Sequence, residues 1–350
     1  MEFWQSAEFD DHEQVCLLTD AATGLRAIVA IHSTALGPAA GGTRFKSYET
    51  DGLALDDALR LSRAMSYKSA LAGLPCGGGK AVIIGDPDRV KSKPLLHAYG
   101  RFINRMNGLF ATGEDVGVSV ADIDVIGEVS RFVGGTSRDG DTAACTADGY
   151  LHGLEAVIEH RFARRDCHGL RVAVQGLGAV GWGIAERLHA RGAALTVADV
   201  REERVREAVR AFAACAATPQ NIHAADVDVF APCALGGILT ANSVIEIRAS
   251  AVAGAANNQL ATPQVGKTLA ARGVLFAPDY VINAGGIIGS MEAYYQAHGR
   301  DASGLASLPV RLAAIGTRLR EIFTRARRDA ATPECTAEAI AREIIDRPRG

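Results

Sequence analysis

The pattern of apolar and polar positions alternates between short apolar runs and longer stretches with helical spacing. Short runs bounded by glycine or turn residues predict strands, and apolar residues that recur every three or four positions predict helices. Strands, some with glycine loops after them, are predicted at 14–18, 25–31, 81–84, 109–112, 170–175, 194–199, 228–237, 251–258 and 274–279. Helices are predicted at 53–72, 94–107, 122–132, 146–160, from the glycine segment 176–181 to about 191, and at 308–330 and 336–346. This alternation predicts an α/β fold.

The stretch from Leu74 to Lys80 carries three glycines in a row and then a lysine, directly before the apolar run that starts at Ala81. Glycine lacks a Cβ, so backbone and ligand can approach closely there. A lysine at the mouth of a buried strand is costly to keep charged, so we expect the pKa of Lys80 to fall. A lysine with a lowered pKa suits general-base chemistry near neutral pH. The alternative is a glycine turn followed by an exposed lysine.

Four other residues are interpreted together with Lys80. Lys68 lies on or beside the apolar stripe of the helix at 53–72, and two lysines aimed at one pocket would bind an anion and lower each other's pKa. Asp115 follows a predicted strand and is either a turn acid or a proton carrier facing the lysines. Gly41 and Gly42 form either a plain tight turn or a loop whose N–H groups hold a carboxylate.

The segment Gly176-Leu177-Gly178-Ala179-Val180-Gly181 follows a predicted strand and opens a helix. Asp199 ends the next strand, 23 residues after Gly176. This is the dinucleotide fingerprint in full context: the helix N-terminus takes the pyrophosphate and Asp199 takes the ribose 2′-hydroxyl. A carboxylate there repels a 2′-phosphate, so NAD is favoured over NADP, although Arg201 and Arg204 nearby oppose that preference. The polar, glycine-rich stretch 134–141 predicts a domain boundary.

Composition narrows the class of protein further. The chain has 350 residues, 48% hydrophobic and 22% charged, and a net charge of −3, so neither nucleic acid nor a membrane surface is an expected partner. No apolar stretch approaches the roughly 18 residues that span a bilayer. Seven cysteines without a Cys-x-x-Cys pair are typical of free thiols in a reducing cytoplasm, and none has zinc spacing.

These segments together resemble the Glu/Leu/Phe/Val dehydrogenase family over almost the whole chain. The matching stretches are Gly41 to Arg44, Met65 to Lys68, Leu74 to Lys80, Glu114 to Gly117, Gly176 to Gly181, Ala231 to Ala234, Gly254 to Asn258 and Ala277 to Gly286. The resemblance implies an α/β protein with an N-terminal substrate and oligomerisation domain at 1–138, a Rossmann NAD-binding domain at 139–325, and an active-site cleft between them. It also implies that the C-terminal helices, about 325–350, pack back on the first domain.

The resemblance assigns roles residue by residue. Lys80 and Asp115 would be catalytic, and Lys68 would bind the substrate carboxylate with Gly41, Gly42 and Asn258. The cofactor would contact Thr146, Gly176, Gly178, Ala179, Val180, Gly181, Asp199, Cys233, Ala234, Asn257 and Asn283. Caps and ordinary turns are the alternative roles of Asn257 and Asn258. The implied reaction is the NAD-dependent, reversible deamination of an L-amino acid to a 2-oxo acid and ammonia, with no metal.

The substrate pocket is expected to be wide. Glutamate enzymes of this family carry a lysine at the position of Ala40, so glutamate should bind poorly here. The expected pocket wall consists of Ala40, Gly113, Ile287 and Ser290, which include small residues. Small side chains enlarge a pocket, so the expected substrate is a bulky apolar amino acid: leucine, valine, phenylalanine or tryptophan.

The sequence departs from the family at 141–146 near the cofactor and at 289–292 on the pocket side. The tail is shorter than in octameric leucine enzymes, which favours a homodimer or homotetramer. One alternative is a hydroxy-acid dehydrogenase or another enzyme of a small carboxylate, but His97 and His152 lie on predicted helices outside the glycine loops. The other alternative, a non-catalytic NAD-binding regulator, should have lost Lys80 or Asp115.

Overall fold

The computed structural model describes residues 3–297 and 305–347, and the chain divides into two compact units. One unit consists of Met1–Gly140, Ser290–Gly304 and Ala341–Gly350, and the other of Asp141–Gly289 and Leu305–Ile340. The division after residue 140 lies two residues beyond the predicted one. The chain rejoins the first unit at residue 341 instead of near 325, and residues 348–350 of the predicted C-terminal segment lie outside the described residues.

The first unit contains a mixed five-stranded sheet. Its strands are β1 (Gln14–Asp20), β2 (Leu25–Ser33), β3 (Ala39–Lys46), β4 (Gly77–Ile84) and β5 (Phe110–Gly113), in the order β1-β2-β4-β3-β5. β2 is antiparallel to β1 and β4, whereas β3 is parallel to β4 and β5. The central strands are therefore covered on both faces.

Helices of the first unit occupy opposite faces of this sheet. A 3₁₀ turn spans Phe3–Gln5, and the helices are α1 (Asp51–Leu71), α2 (Pro87–Val90), α3 (Lys93–Arg105) and α4 (Val120–Gly127). Alternate residues of β4 explain the layering, since Val82 packs against α1 and Ala81 packs in the cluster with α3 and α4. Lys80 precedes Val82 by two residues, so its side chain points to the α1 face.

Polar caps fix where these helices begin. Thr50 accepts a hydrogen bond from the N–H of Leu53 at the start of α1, and Ser119 with Asp122 forms a capping box on α4. The predicted helix at 122–132 is wrong in its second half. After α4 ends, Val133 instead forms an isolated bridge with Thr112, which places it in the core.

The second unit contains a six-stranded parallel sheet. Its strands are β6 (Arg171–Gln175), β7 (Ala194–Ala198), β8 (Cys215–Ala216), β9 (Val229–Pro232), β10 (Ala251–Val252) and β11 (Leu275–Phe276). Their order, β11-β10-β9-β6-β7-β8, reverses direction at β6, as in the doubly wound nucleotide-binding folds. In such a sheet ligands bind beyond the carboxyl end of the strands at that reversal, directly after β6.

The helices from α5 onward are α5 (Thr142–Phe162), α6 (Ala179–Ala190), α7 (Glu202–Phe212), α8 (Ser243–Glu246), α9 (Pro263–Ala271), α10 (Asp279–Ile282), α11 (Gly285–Ala297), α12 (Leu308–Arg328) and α13 (Pro333–Ile345), with a 3₁₀ turn at Ile222–Ala224. Gly149 and Gly153 let α12 approach α5, since a Cβ on Gly149 would lie 2.6 Å from Ile315. This packing explains why α12 clusters with the second unit. No helix among the described residues is long and apolar enough to cross a membrane.

Candidate active site

Lys80 lies in the interior of β4, so the predicted position at the mouth of a strand is wrong. Its Nζ is 3.1 Å from Oδ2 of Asp115, which comes two residues after β5. Lys80 is only 6% exposed. The glycine triplet before it, Gly77 to Gly79, belongs to the same strand, so the alternative of a glycine turn with an exposed lysine is also wrong.

The electrostatic surroundings of the pair favour an amine beside a carboxylate. Burial lowers the pKa of Lys80, and the Arg44 guanidinium lowers it further, although Asp115 opposes both. This direction agrees with the prediction. Arg44 is a cation that adds to the effect of burial, and the role predicted for Lys68 stays a prediction. Burial by itself would raise the pKa of Asp115, but Lys80 and Arg44 together hold it below its usual range.

Close contact with α1 explains the glycine at position 78, and close contact between β3 and β4 explains the one at position 41. A Cβ on Gly78 would lie 2.0 Å from the backbone N of Ser66 in α1, and one on Gly41 would lie 1.8 Å from the carbonyl oxygen of Gly79. Met65 of α1 packs at Gly41. Lys68, three residues after Met65, is half-buried on that side of the helix.

Gly41 and Gly42 are residues of β3, so the alternative of a plain tight turn is wrong. A Cβ on Gly42 would lie 2.3 Å from the carbonyl oxygen of Glu114 and 3.1 Å from Cβ of Asp115. Glycine at this position therefore makes room for Asp115. Substrate binding by these glycines stays a prediction.

The glycine loop of the second unit fits a dinucleotide. Gly176 has a φ of +94°, which only glycine adopts easily, and a Cβ on Gly181 would lie 1.9 Å from the carbonyl oxygen of Gly176. Gly178 is the N-cap of α6 without a side-chain cap, and a Cβ there would meet no other segment of the described chain within 4 Å. The first N–H groups of α6, from Ala179 and Val180, thus border open space in which a pyrophosphate fits.

Asp199 follows β7 directly and reaches back to that loop. Its Oδ2 accepts a 2.6 Å hydrogen bond from the N–H of Leu177, and its Oδ1 accepts one of 2.8 Å from the N–H of Arg201. Burial would raise the pKa of Asp199, but these hydrogen bonds bring it below the usual range. Asp199 is therefore a carboxylate at neutral pH.

The remaining predicted cofactor residues lie around the ends of β9 and β10 and along α5. Asn283 donates a 2.7 Å hydrogen bond to Oδ1 of Asn257, and Thr146 donates one of 2.8 Å to the carbonyl of Thr142. Cys233 donates its N–H to Gln175 at the end of β6, and burial raises the pKa of its thiol to about 12. A Cβ on Gly176 would contact Ala234 at 2.7 Å, so Ala234 adjoins the glycine loop.

Asn258 is exposed and has a φ of +51°. The left-handed region costs a non-glycine residue free energy, although asparagine tolerates it best. Its carbonyl accepts a hydrogen bond from Gly237, which fixes this conformation. Such a strained, exposed side chain is typical of a functional position.

The predicted pocket wall is partly assembled within the first unit. Ala40 lies in β3 opposite Ala111 of β5, and Gly113 is two residues further along the same strand. Ala40 is 7% exposed, and a Cβ on Gly113 would meet the carbonyl oxygen of Gly134 at 3.0 Å. Ile287 and Ser290 are half-buried residues of α11.

Sequence reasoning missed the groups behind Asp115. Arg44 Nε donates a 2.8 Å hydrogen bond to Oδ2 of Asp115, and its NH1 reaches Asp57 of α1 at 3.0 Å. Tyr48 donates a 2.7 Å hydrogen bond to the same Asp57. The available signal was Arg44 itself, which directly follows the glycine segment of β3, but nothing local linked it to residue 57 or 115.

A parallel dinucleotide-type sheet and a buried lysine–aspartate pair define a Rossmann-type oxidoreductase. The chain belongs to the Glu/Leu/Phe/Val dehydrogenase family: the dimerisation domain of that family matches residues 12–131 and its Glutamate/Leucine/Phenylalanine/Valine dehydrogenase domain matches residues 196–341. The predictions of the family, of an α/β fold and of an amino-acid dehydrogenase are thereby confirmed.

Individual relatives match along nearly the whole chain. A leucine dehydrogenase of Geobacillus stearothermophilus is 41% identical over 353 aligned positions, covering 100% of this chain and 95% of the relative. A valine dehydrogenase of Streptomyces virginiae is 45% identical, covering 97% and 95%. The crystal structure of an L-tryptophan dehydrogenase from Nostoc punctiforme matches with a TM-score of 0.84 at 41% identity, covering 96% of each chain.

Proposed function

We propose that this protein catalyses the NAD-dependent, reversible oxidative deamination of a bulky apolar L-amino acid to the 2-oxo acid and ammonia. The observation that carries the proposal is the buried contact of 3.1 Å between Lys80 Nζ and Asp115 Oδ2. Lys80, with its lowered pKa, can act as a base, and the adjacent carboxylate of Asp115 can carry protons to and from the same place. Names of relatives support the same chemistry, since they are leucine, valine and tryptophan dehydrogenases.

An amino-acid substrate carries a carboxylate, which the protein must bind with a cation or with N–H groups. Lys68 is proposed to bind it, with the backbone of Gly41 and Gly42 and with the side chain of Asn258. Lys68 lies on the side of α1 that packs at Gly41, which supports this assignment. Holding the carboxylate fixes the Cα of the amino acid relative to Lys80 and Asp115.

The chemistry then follows from protonation states. The glycine loop and Asp199 would hold NAD, which would supply a hydride acceptor for the substrate Cα and so convert the amino acid to its imine. Neutral Lys80 takes a proton from water as the water attacks the imine carbon. Asp115 carries protons to and from the substrate nitrogen, so that the resulting carbinolamine loses ammonia and becomes the 2-oxo acid. The low exposure of Lys80 excludes other water from this position.

We propose NAD as the cofactor in preference to NADP. Asp199 is charged at neutral pH and lies against the glycine loop, where the 2′-position of the adenosine ribose is recognised in such folds. A 2′-phosphate beside this carboxylate would be repelled. Thr146, Cys233, Ala234, Asn257 and Asn283 are proposed to line the rest of the cofactor site.

The proposed preference for bulky apolar substrates rests on small side chains. Ala40 offers no charge for a side-chain carboxylate, so glutamate is expected to be a poor substrate. Ala40 and Gly113 occupy the adjacent strands β3 and β5 and are proposed to line the pocket. Ile287 and Ser290 are proposed as further lining residues of this pocket.

The first experiment is a panel of L-amino acids, namely valine, leucine, phenylalanine, tryptophan and glutamate, tested with NAD and with NADP by following reduced cofactor. Turnover of an apolar member with NAD supports the proposal. Glutamate as the best substrate would contradict the role of Ala40. A rate on valine far above that on phenylalanine would contradict a wide pocket.

Pocket width is tested by Ala40→Leu, which adds three carbons beside β3. We expect kcat/KM for phenylalanine or tryptophan to fall relative to that for valine by roughly 10-fold or more. Ala190→Leu, at the exposed end of α6, is the matched control and should leave this ratio unchanged.

Lys80→Ala tests the proposed base. Turnover should be lost while NADH binding, measured by fluorescence, stays within a few-fold of the original protein. Lys93→Ala, which removes an exposed lysine paired with Glu128, should retain turnover. Substantial turnover by Lys80→Ala would rule out the proposed role of Lys80. If the unmodified protein turns over none of the substrates but still binds NADH, a regulatory protein is favoured.

The relatives' family includes a domain named for dimerisation, and we propose a homodimer or homotetramer. Light scattering after size exclusion measures the mass directly. A mass corresponding to eight protomers would contradict this part of the proposal.

A further inference from the structure

Oδ2 of Asp115 receives two cations at once. Lys80 Nζ lies 3.1 Å from it and Arg44 Nε donates to it at 2.8 Å. Both contacts use Oδ2, and Oδ1 of the same carboxylate takes part in neither. One oxygen is thus fixed by the protein, and the other remains available to a ligand.

Arg44 is itself held from behind. Its NH1 bonds Asp57, which also accepts from Tyr48 at 2.7 Å and pairs with Arg60 at 2.6 Å. The side chains of Arg44 and Asp57 are 14% and 10% exposed, so solvent screens this pair weakly. A guanidinium bridges two carboxylates in a fixed planar geometry, which a lysine does not reproduce.

The same arrangement balances charge around Lys80. The groups that bear on the Lys80–Asp115 pair are Arg44 on β3, Asp57 on α1, Tyr48 after β3 and Glu114 beside Asp115. Arg60 pairs with Asp57, and Lys68 lies on the side of α1 that packs at Gly41. Arg44 disfavours the protonated form of Lys80, and Asp57 favours it. Removing Arg44 should therefore raise the pKa of Lys80, and removing the charge of Asp57 should lower it.

We propose that Arg44 is a positioning residue for deamination: clamped by Asp57, it fixes Oδ2 of Asp115 beside Lys80, presents Oδ1 to the substrate nitrogen, and sets the pH at which Lys80 becomes a base. This inference rests on the proposed function for its catalytic meaning. The charge balance that it describes exists in the folded protein without turnover.

The test compares pH profiles of kcat/KM for deamination in Arg44→Gln and Asp57→Asn. Without Arg44 the rising limb, which reports loss of the Lys80 proton, should move up by about one pH unit, and without the Asp57 charge it should move down. Arg44→Lys retains the charge, so its limb should stay near the original position while kcat falls about 10-fold or more from lost alignment. This variant also serves if Arg44→Gln does not fold.

The matched control is Arg26→Gln. Arg26 of β2 pairs with Asp51 of α1 at 2.7 Å, so it also links a strand to α1, but both partners are more than half exposed. Its profile should match that of the original protein. Limbs that move in the same direction in Arg44→Gln and Asp57→Asn, or that do not move, overturn the proposal.

A second measurement does not need turnover. The pH dependence of Lys80 labelling by a small amine-reactive reagent, read by peptide mass spectrometry, gives the midpoint of its titration in each variant. Opposite shifts in a protein without dehydrogenase activity would support the charge balance and refute the proposed function. Equal midpoints in an active enzyme would overturn the role of Arg44 alone.

Discussion

Stability of the first unit should depend on pH through one buried histidine. His32 is the next-to-last residue of β2 and is 8% exposed. Its Nδ1 lies 2.8 Å from Oγ of Ser66 in α1. Burial, assisted by the neighbouring His12, lowers the pKa of His32 from 6.5 to about 4. Asp10, 3.7 Å from Nε2, opposes this shift without cancelling it.

The sign follows from proton linkage. As pH falls through 6.5 the unfolded chain takes up a proton at His32, but the folded chain does not until about pH 4, so falling pH favours unfolding across this window. Relative to pH values above 7, His32 lowers the free energy of unfolding by about 2 kcal/mol at pH 5 and by roughly 3 kcal/mol below pH 4. Above pH 7 this loss is absent.

The perturbation is His32→Asn, which keeps a polar group near Ser66 but does not titrate. Loss of the ring lowers the free energy of unfolding at every pH, so the informative quantity is the difference between pH 7.5 and pH 5. Urea unfolding followed by circular dichroism, at one protein concentration, measures it. We expect the variant to lose about 2 kcal/mol less than the original protein between these two pH values.

His189→Asn is the control, because His189 is exposed near the end of α6. It should keep the pH dependence of the original protein. An identical pH dependence in His32→Asn would refute the reasoning, since burial of a neutral histidine would then not be the source.

Three further predictions follow from the packing and the cofactor loop. Gly78→Ala should reduce kcat/KM at least about 10-fold, because its Cβ would lie 2.0 Å from the backbone of Ser66 and displace α1. Gly127→Ala is the control, since its Cβ meets only a valine methyl at 3.3 Å, and it should leave kcat/KM unchanged. Steady-state kinetics measures both variants. Tyr99→Phe should lower the free energy of unfolding by about 1–3 kcal/mol in urea, because it removes a fully buried hydroxyl that bonds two threonines, with kcat unchanged. Asp199→Ala should raise KM for NAD and reduce the preference for NAD over NADP, and equal preferences before and after the change would contradict the proposed role of Asp199.

Local motifs explain what the sequence could predict. The glycine loop with Asp199 is contiguous with a strand and a helix, so spacing alone indicates its structure. Lys80 and Asp115 each stand in a short, recognisable segment, and their contact follows once β3, parallel to both, joins β4 and β5 in one sheet.

Other features depend on contacts that no local pattern encodes. Glycine is unfavourable in strands, so a turn was an alternative for the triplet before Lys80, yet β4 contains all three glycines and Gly78 admits α1. Arg44 reaches a residue 71 positions away and another 13 positions away. Neither distance matches a helical or strand period, so only the folded chain reveals that link.

The glycine contact between α1 and β4 has a consequence for how such an enzyme changes during evolution or design. A side chain at Gly78 would press on the backbone of α1, the helix that carries Lys68, and one at Gly41 would press on the carbonyl oxygen of Gly79 in β4. The strand that bears Lys80 and the helix that bears Lys68 are therefore held together by a contact that leaves no space for an added methyl group. Variation, in evolution or in design, is therefore excluded at these two glycines and has to arise at positions outside this contact.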